Sequence, residues 1–122
     1  MKKARKILIV EDEIVIAECL ELELTMSGHT VCSCVVTGED AIVAAEREHP
    51  DVILMDIRLA GEIDGIEAAK RIQASLGIPI VFMTGYLEDT IRERAMELNP
   101  LTFLTKPVKL RDIQKALAAL AG

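Results

Sequence analysis

Glu11-Asp12-Glu13, Asp56, Thr84 and Lys106-Pro107 are the residues of this chain best suited to chemistry, and each follows a short apolar run. Carboxylates, a hydroxyl and an ammonium brought to one place suit phosphoryl transfer. A carboxylate oxygen attacks phosphorus, while positive charge and a hydroxyl donor offset the charge on the phosphoryl oxygens. Asp56 is the expected nucleophile, because it ends the unbroken run Val52-Ile53-Leu54-Met55. A run of that kind reads as a central strand buried on both faces, which would hold the side chain on rigid backbone. Two like charges about 4 Å apart repel by roughly 4 kcal/mol at an effective dielectric near 20. A site with several carboxylates therefore calls for a hard divalent cation with oxygen ligands, and Mg²⁺ suits few carboxylates and retained waters.

Elements must exist that carry these residues to one place. Apolar strands are predicted at Lys6 to Val10, Thr30 to Val35, Asp51 to Met55, Ile78 to Met83 and Leu101 to Thr105. Helical patterns fall between and after them, at Glu13 to Met26, Thr37 to Glu48, Ile66 to Leu76, Leu87 to Leu98 and Lys109 to Leu120. Ser27-Gly28, Pro50, Gly77 and Asn99-Pro100 punctuate the series, and Thr37-Gly38-Glu39-Asp40 has the form of a helix-opening cap. Strand and helix alternate five times, which predicts an α/β fold: a parallel sheet, doubly wound, with helices on both faces. In such a sheet ligands bind outside the carboxyl ends of the strands. The polar residues named above all stand at those ends, so they converge.

The totals set the outer limits. With 122 residues the chain is expected to form one domain over residues 1–122, with no output domain of its own. A net charge of −6 argues against nucleic-acid binding, and no apolar run is long enough to cross a membrane. The apolar run behind the basic start is too short for a secretory leader. Three cysteines, an odd number, are read as small buried apolar residues in a reducing cytoplasm, with Cys32 and Cys34 on one strand face. His29 and His49 fall at loop positions and are read as solvated.

Glu11-Asp12, Asp56, Thr84 and Lys106-Pro107, in that order on five βα units, resemble the receiver domain of two-component response regulators. The resemblance spans essentially the whole chain. It implies a flavodoxin-like sheet of order 2-1-3-4-5 and phosphorylation of Asp56 by a histidine kinase or phosphotransfer protein in a Mg²⁺-dependent reaction. It implies that Asp12 ligates Mg²⁺ directly, Glu11 through water, Asp56 as acceptor and ligand together, and Arg58 through its backbone carbonyl. Thr84 and Lys106 would bind the phosphoryl oxygens, and Phe103 would stand at the family's aromatic switch position. The Lys106-Pro107 bond would be cis. Arg58 and Tyr86 would flank the water's approach to the acceptor. A receiver catalyses its own phosphorylation and slow dephosphorylation rather than turning over a substrate, and it acts as a monomer or weak dimer on a downstream protein that the sequence does not name. Two features depart from the usual pattern. The loop from Ile57 to Gly65 lacks a proline and holds one extra residue, as in a subset of receivers, and Phe103 replaces the more usual Tyr.

Other readings are weaker. Glu11-Asp12-Glu13 alone would suit first-turn acids on a helix dipole, Asp56 alone would suit a helix cap, and Thr84 alone is a good β-former. An FMN binder of the same fold would need a phosphate loop where Glu11-Asp12-Glu13 stands. A haloacid-dehalogenase-type phosphatase would need an acid where Arg58 stands. A phosphorylation-independent interaction module of the same fold is the remaining alternative.

Overall fold

The computed structural model describes residues 3–85 and 88–120. Strands β1 (Lys6–Val10), β2 (Thr30–Val35), β3 (Val52–Asp56), β4 (Ile80–Thr84) and β5 (Thr102–Thr105) alternate with helices α1 (Ile14–Met26), α2 (Gly38–Glu48), α3 (Gly65–Leu76), α4 (Asp89–Met96) and α5 (Leu110–Ala118). All pairings are parallel and the sheet order is β2-β1-β3-β4-β5. β3 and β4 are buried along their whole length, whereas the edge strands β2 and β5 are partly open.

Alternation along the strands divides the core in two. Leu8, Val10, Ile53, Met55, Ile80 and Phe82 face α2, α3 and α4. Ile7, Ile9, Val52, Leu54, Val81 and Met83 face α1 and α5. Burial of each large aliphatic side chain contributes about 1.5–3 kcal/mol, which offsets the cost of ordering the chain between the helices. The helix ends carry their own signals. Thr37 Oγ1 accepts from the Asp40 amide at 3.0 Å, and Asp64 Oδ1 from the Glu67 amide at 2.8 Å. Gly77 closes α3 at φ 66° in the left-handed region. At the far pole of the sheet, Arg5 Nη2 donates to the Leu120 carbonyl at 3.2 Å, which ties the two ends of the described chain together.

Several sequence expectations are corrected. Asp56 is the last residue of β3 rather than the first beyond it. β4 begins at Ile80, because Pro79 has no amide to donate and contributes only its carbonyl, accepting from Ile53. α4 is two turns long, running from Asp89 to Met96; Leu87, predicted to begin it, lies outside the described residues. The cysteines are not core residues: Cys19 and Cys34 are exposed and Cys32 is half-buried. Nor do Cys32 and Cys34 share a face. Between Val31 and Ser33 the register with β1 shifts by one residue, so Cys32 is an extra residue in the ladder. Cys32 consequently packs on the α2/α3 side while Cys34 Sγ meets Glu21 of α1 at 3.8 Å. His29 is buried, and its Nδ1 accepts from the Arg5 amide at 3.0 Å. His49 is exposed as expected and caps α2 at φ 49°.

Candidate functional site

Four strand ends deliver the site. The Glu11 amide donates to the Val35 carbonyl at 3.0 Å, extending the β1–β2 ladder by one step and fixing the carboxyl beneath the pocket floor. Asp56 is held from two directions. Its Oδ1 accepts from the Arg58 amide at 3.2 Å, and its main-chain carbonyl is pressed by Gly65 at the start of α3. A Cβ at Gly65 would lie 2.0 Å from that carbonyl oxygen, so no other residue fits there without displacing the acceptor strand. Thr84 ends β4, and its carbonyl accepts from the Lys106 amide at 2.8 Å. The Lys106-Pro107 peptide bond is cis, as the resemblance implied.

Lys106 Nζ bridges the two buried carboxyl groups. It lies 2.7 Å from Glu11 Oε1 and 2.9 Å from Asp56 Oδ2. Glu11 is 1% exposed, Asp56 5% and Thr84 4%, while Asp12 is open to solvent. Oxygens of Glu11, Asp12 and Asp56 all lie within 4.8 Å of one another. Above them opens a cavity of about 270 Å³ lined by Asp12, Glu13, Asp56, Arg58, Thr84 and Lys106, with Gly85 at its edge.

Electrostatics divide the labour between the carboxyls. Burial, then the hydrogen bond and charge of Glu11, push Asp56 up to about 7 against the pull of Lys106. Burial also pushes Glu11 up, but the hydrogen bonds from Asp56, Lys106 and the Glu13 amide outweigh it and hold Glu11 below its ordinary range. Burial pulls Lys106 down, and the two carboxyls more than restore it, leaving it raised and cationic. One lysine thus faces two buried carboxyls, and Asp56 is the one whose ionised form is disfavoured. The donor set is all oxygen, one member (Asp12) reaches solvent, and the two buried carboxyls share the single Lys106 ammonium. These residues fit a small hard divalent cation, and Mg²⁺ in particular, with its preference for carboxylates and waters.

Glu11, Asp12, Asp56, Arg58, Thr84 and Lys106 are therefore brought together as the sequence predicted. Phe103 is not in the pocket. It sits half-buried on the α4 side, stacked on Phe82 with ring centroids 5.5 Å apart. Tyr86 lies outside the described residues. Two contributors named in the sequence were given no role at the site. Glu13 lines the cavity, and its amide donates to Glu11 Oε2 at 3.2 Å; its place in the acidic triplet was the available signal. Gly65 was noted for its spacing from Asp56 but not for its contact with the Asp56 backbone.

A family model described as the response regulator receiver domain matches residues 7–118. The chain is similar to the signal receiver domain of a modulated diguanylate cyclase from Desulfovibrio desulfuricans G20. That likeness has 33% identity over 97% of this chain and 94% of the other, with a TM-score of 0.91. It is also similar to the receiver domain of a sensor histidine kinase from Pseudomonas aeruginosa PAO1, with 32% identity over 97% and 98% of the two chains and a TM-score of 0.84. The structure of that domain has a magnesium ion coordinated in its active site cleft. A CheY-like receiver from Methanospirillum hungatei JF-1, 23% identical over 95% and 92% of the chains with a TM-score of 0.86, shares the fold.

Proposed function

The chain belongs to the response regulator receiver domain family, and on that premise we propose that it takes a phosphoryl group from a partner's phosphohistidine onto Asp56. The family places it in two-component phosphorelay signalling; the residue chemistry is our reading. The observation that carries it is the buried Asp56 at the end of β3, with the Lys106 ammonium 2.9 Å from one oxygen and the Arg58 amide 3.2 Å from the other.

Oδ2 of Asp56 attacks phosphorus as the phosphorus–nitrogen bond of the donor breaks, and the imidazole leaves with that electron pair. The product is an acyl phosphate. Asp56 attacks as the carboxylate, any proton on it passing first to solvent through the open pocket, and a divalent cation held by these residues would favour that ionised form. Lys106 and the Thr84 hydroxyl then face the phosphoryl oxygens, and Lys106 keeps its charge throughout. Asp12, Glu11, Asp56 and the Arg58 carbonyl are the residues that would hold Mg²⁺, which when bound supplies charge neutralisation at those same oxygens. The domain is not a turnover enzyme in this reading; it catalyses the loading and slow loss of its own phosphoryl group.

Donor access is over α1. A groove of about 200 Å³, lined by Val15, Cys19, Leu20, Met83, Pro107 and Val108, adjoins the site through Lys106, which borders both cavities. Val15, Cys19, Leu22 and Met26 recur at helical spacing on the exposed side of α1, and the helix carries Glu18, Glu21 and Glu23 with no basic residue. A helix of the histidine kinase or phosphotransfer protein, apolar with basic flanks, complements that surface. Output passes to a downstream protein, with Thr84 shifting toward the phosphoryl group and Phe103 repacking beside α4. The cytoplasm is the compartment implied, and free cysteines suit it.

The test is intact mass after incubation with acetyl phosphate and Mg²⁺. Wild type should gain one phosphoryl group and Asp56→Asn none. Full labelling of the Asn variant would reassign the acceptor, and no labelling of wild type would favour the phosphorylation-independent interaction module.

A further inference from the structure

The loop from Ile57 to Asp64 is anchored at both ends, and its outer anchor lies on α2, away from the pocket. At the inner end the Arg58 amide donates to Asp56 Oδ1 at 3.2 Å, and the Gly65 amide to the Ile57 carbonyl at 2.8 Å. At the outer end Ala60 forms a parallel bridge with Thr37, the residue that caps α2. The Glu62 amide donates to Glu39 Oε2 at 3.1 Å. Gly61 takes φ 97°, and a Cβ there would lie 2.8 Å from Glu39 Oε1. Ile63 closes over Gly38 so tightly that a Cβ at Gly38 would lie 2.7 Å from Ile63 Cγ1. Three successive loop residues, Ala60 to Glu62, are exposed and have little core of their own to hold them.

We propose that Glu39 is a positioning residue for the acceptor site: through Gly61 and Glu62 it sets the path of the loop, and so the place of the Arg58 main chain beside Asp56. Glu39 touches neither Asp56 nor its proposed ligands. Its carboxylate is the acceptor for a loop amide that has no strand partner, in the stretch that carries the extra residue. A loop released from α2 would pivot about Ile57, which is buried, and Arg58 is the next residue along. The Arg58 amide would then lose its alignment with Oδ1, and the Arg58 carbonyl its place at the metal. Coupling of this kind is reciprocal: a molecule that grips the start of α2 would alter the site, and loading the site would be felt at α2.

The inference rests on the proposed phosphoryl chemistry for one of its readouts, and a second is independent of it. Compare wild type, Glu39→Ala and Glu39→Gln. Gln keeps a carbonyl oxygen for the Glu62 amide and removes the charge. First, follow hydrogen exchange of the Arg58 amide by NMR without metal or phosphodonor. Second, measure the Mg²⁺ concentration for half-maximal labelling by acetyl phosphate separately from the maximal rate. In Glu39→Ala the Arg58 amide should exchange about fivefold faster or more. The Mg²⁺ midpoint should rise about threefold to tenfold, the net worth of one ordinary hydrogen bond, with the maximal rate changed less. Glu39→Gln should restore both. Wild-type exchange at Arg58 in Glu39→Ala would overturn the proposal whatever the labelling does. So would Glu39→Gln behaving like Glu39→Ala, which would assign the effect to distant charge. If wild type takes no label, the phosphoryl reading fails while the exchange result still decides the role of Glu39.

Discussion

α3 and α4 follow adjacent site strands, yet they are mounted in opposite ways. α3 buries Gly65, Ile66, Ala68, Ala69 and Ile72, is capped by Asp64 at its start and closes on Gly77. Its first residue lies against the backbone of the acceptor. α4 has eight residues, buries Ala95 with Ile91 half-buried, and its N-cap Glu88 makes no side-chain capping bond. A tie between the two helices is the ion pair of Arg94 with Asp64 at 3.2 Å. Local opening is easiest where little apolar surface is buried. The acceptor therefore sits on a fixed mount, and the Thr84 side of the pocket borders the element that can move. The proposed function, in which one carboxylate is held still while its modification is reported, needs both properties, and they fall to different helices.

The contrast breaks first at Gly65. Gly65→Ala should destabilise the domain by about 3 kcal/mol, at the upper end of overpacking costs, because its Cβ meets backbone rather than a movable side chain. Urea denaturation measures this. A loss below about 1 kcal/mol would show that the acceptor mount is softer than its contacts indicate.

The acceptor side also has a pH signature. Asp56 is pushed up to about 7 from 3.8, so between those values the native state binds more protons than the unfolded chain. Without divalent metal, stability should fall as pH rises from about 4 to about 7. Glu11, held low, acts in the opposite sense, and its contribution is lost only as pH falls below its ordinary 4.5. Mg²⁺ should flatten the decline by favouring the ionised carboxyls, and Asp12→Asn should abolish much of that response. Melting temperatures from pH 4.5 to 7.5, with and without Mg²⁺, test the sign; a flat metal-free profile contradicts it.

The smallest effect belongs to the tie between the helices. Arg94→Ala should cost no more than about 0.5 kcal/mol, as exposed ion pairs do. It should speed amide exchange in α4 several-fold while leaving α3 unchanged. Equal changes in both helices would mean that they move as one body and would erase the contrast.

The five βα units were legible because apolar runs, Gly and Pro alternate so regularly, and the pocket was legible because a parallel sheet puts all its carboxyl ends on one side. What stayed hidden depended on pairing between distant segments. The extra residue at Cys32 exists only relative to β1, and it reverses the facing that a two-residue spacing implies. The bridge of Ala60 to Thr37 joins a loop to a cap far from it in sequence. His29 is buried because the Arg5 amide meets its ring nitrogen, a contact that no local pattern announces. Phe103 was singled out by position, whereas its place on Phe82 follows from the register of β5 on β4, where the two residues are partners.

The contact of Arg5 with Leu120 bears on how such a domain is wired to anything joined to it. Both ends of the described chain emerge at the pole opposite the Asp56 pocket, separated from it by the length of the strands, roughly 16 Å for five residues. A tether at either end therefore cannot touch Asp56 at its point of attachment. On the proposed function, a change at the pocket must travel down the flank of the sheet or be read by a molecule that reaches round to the pocket side. The same proximity means that the two ends could be spliced by a short linker and the chain reopened in a surface loop, leaving the four strand ends that build the pocket in place.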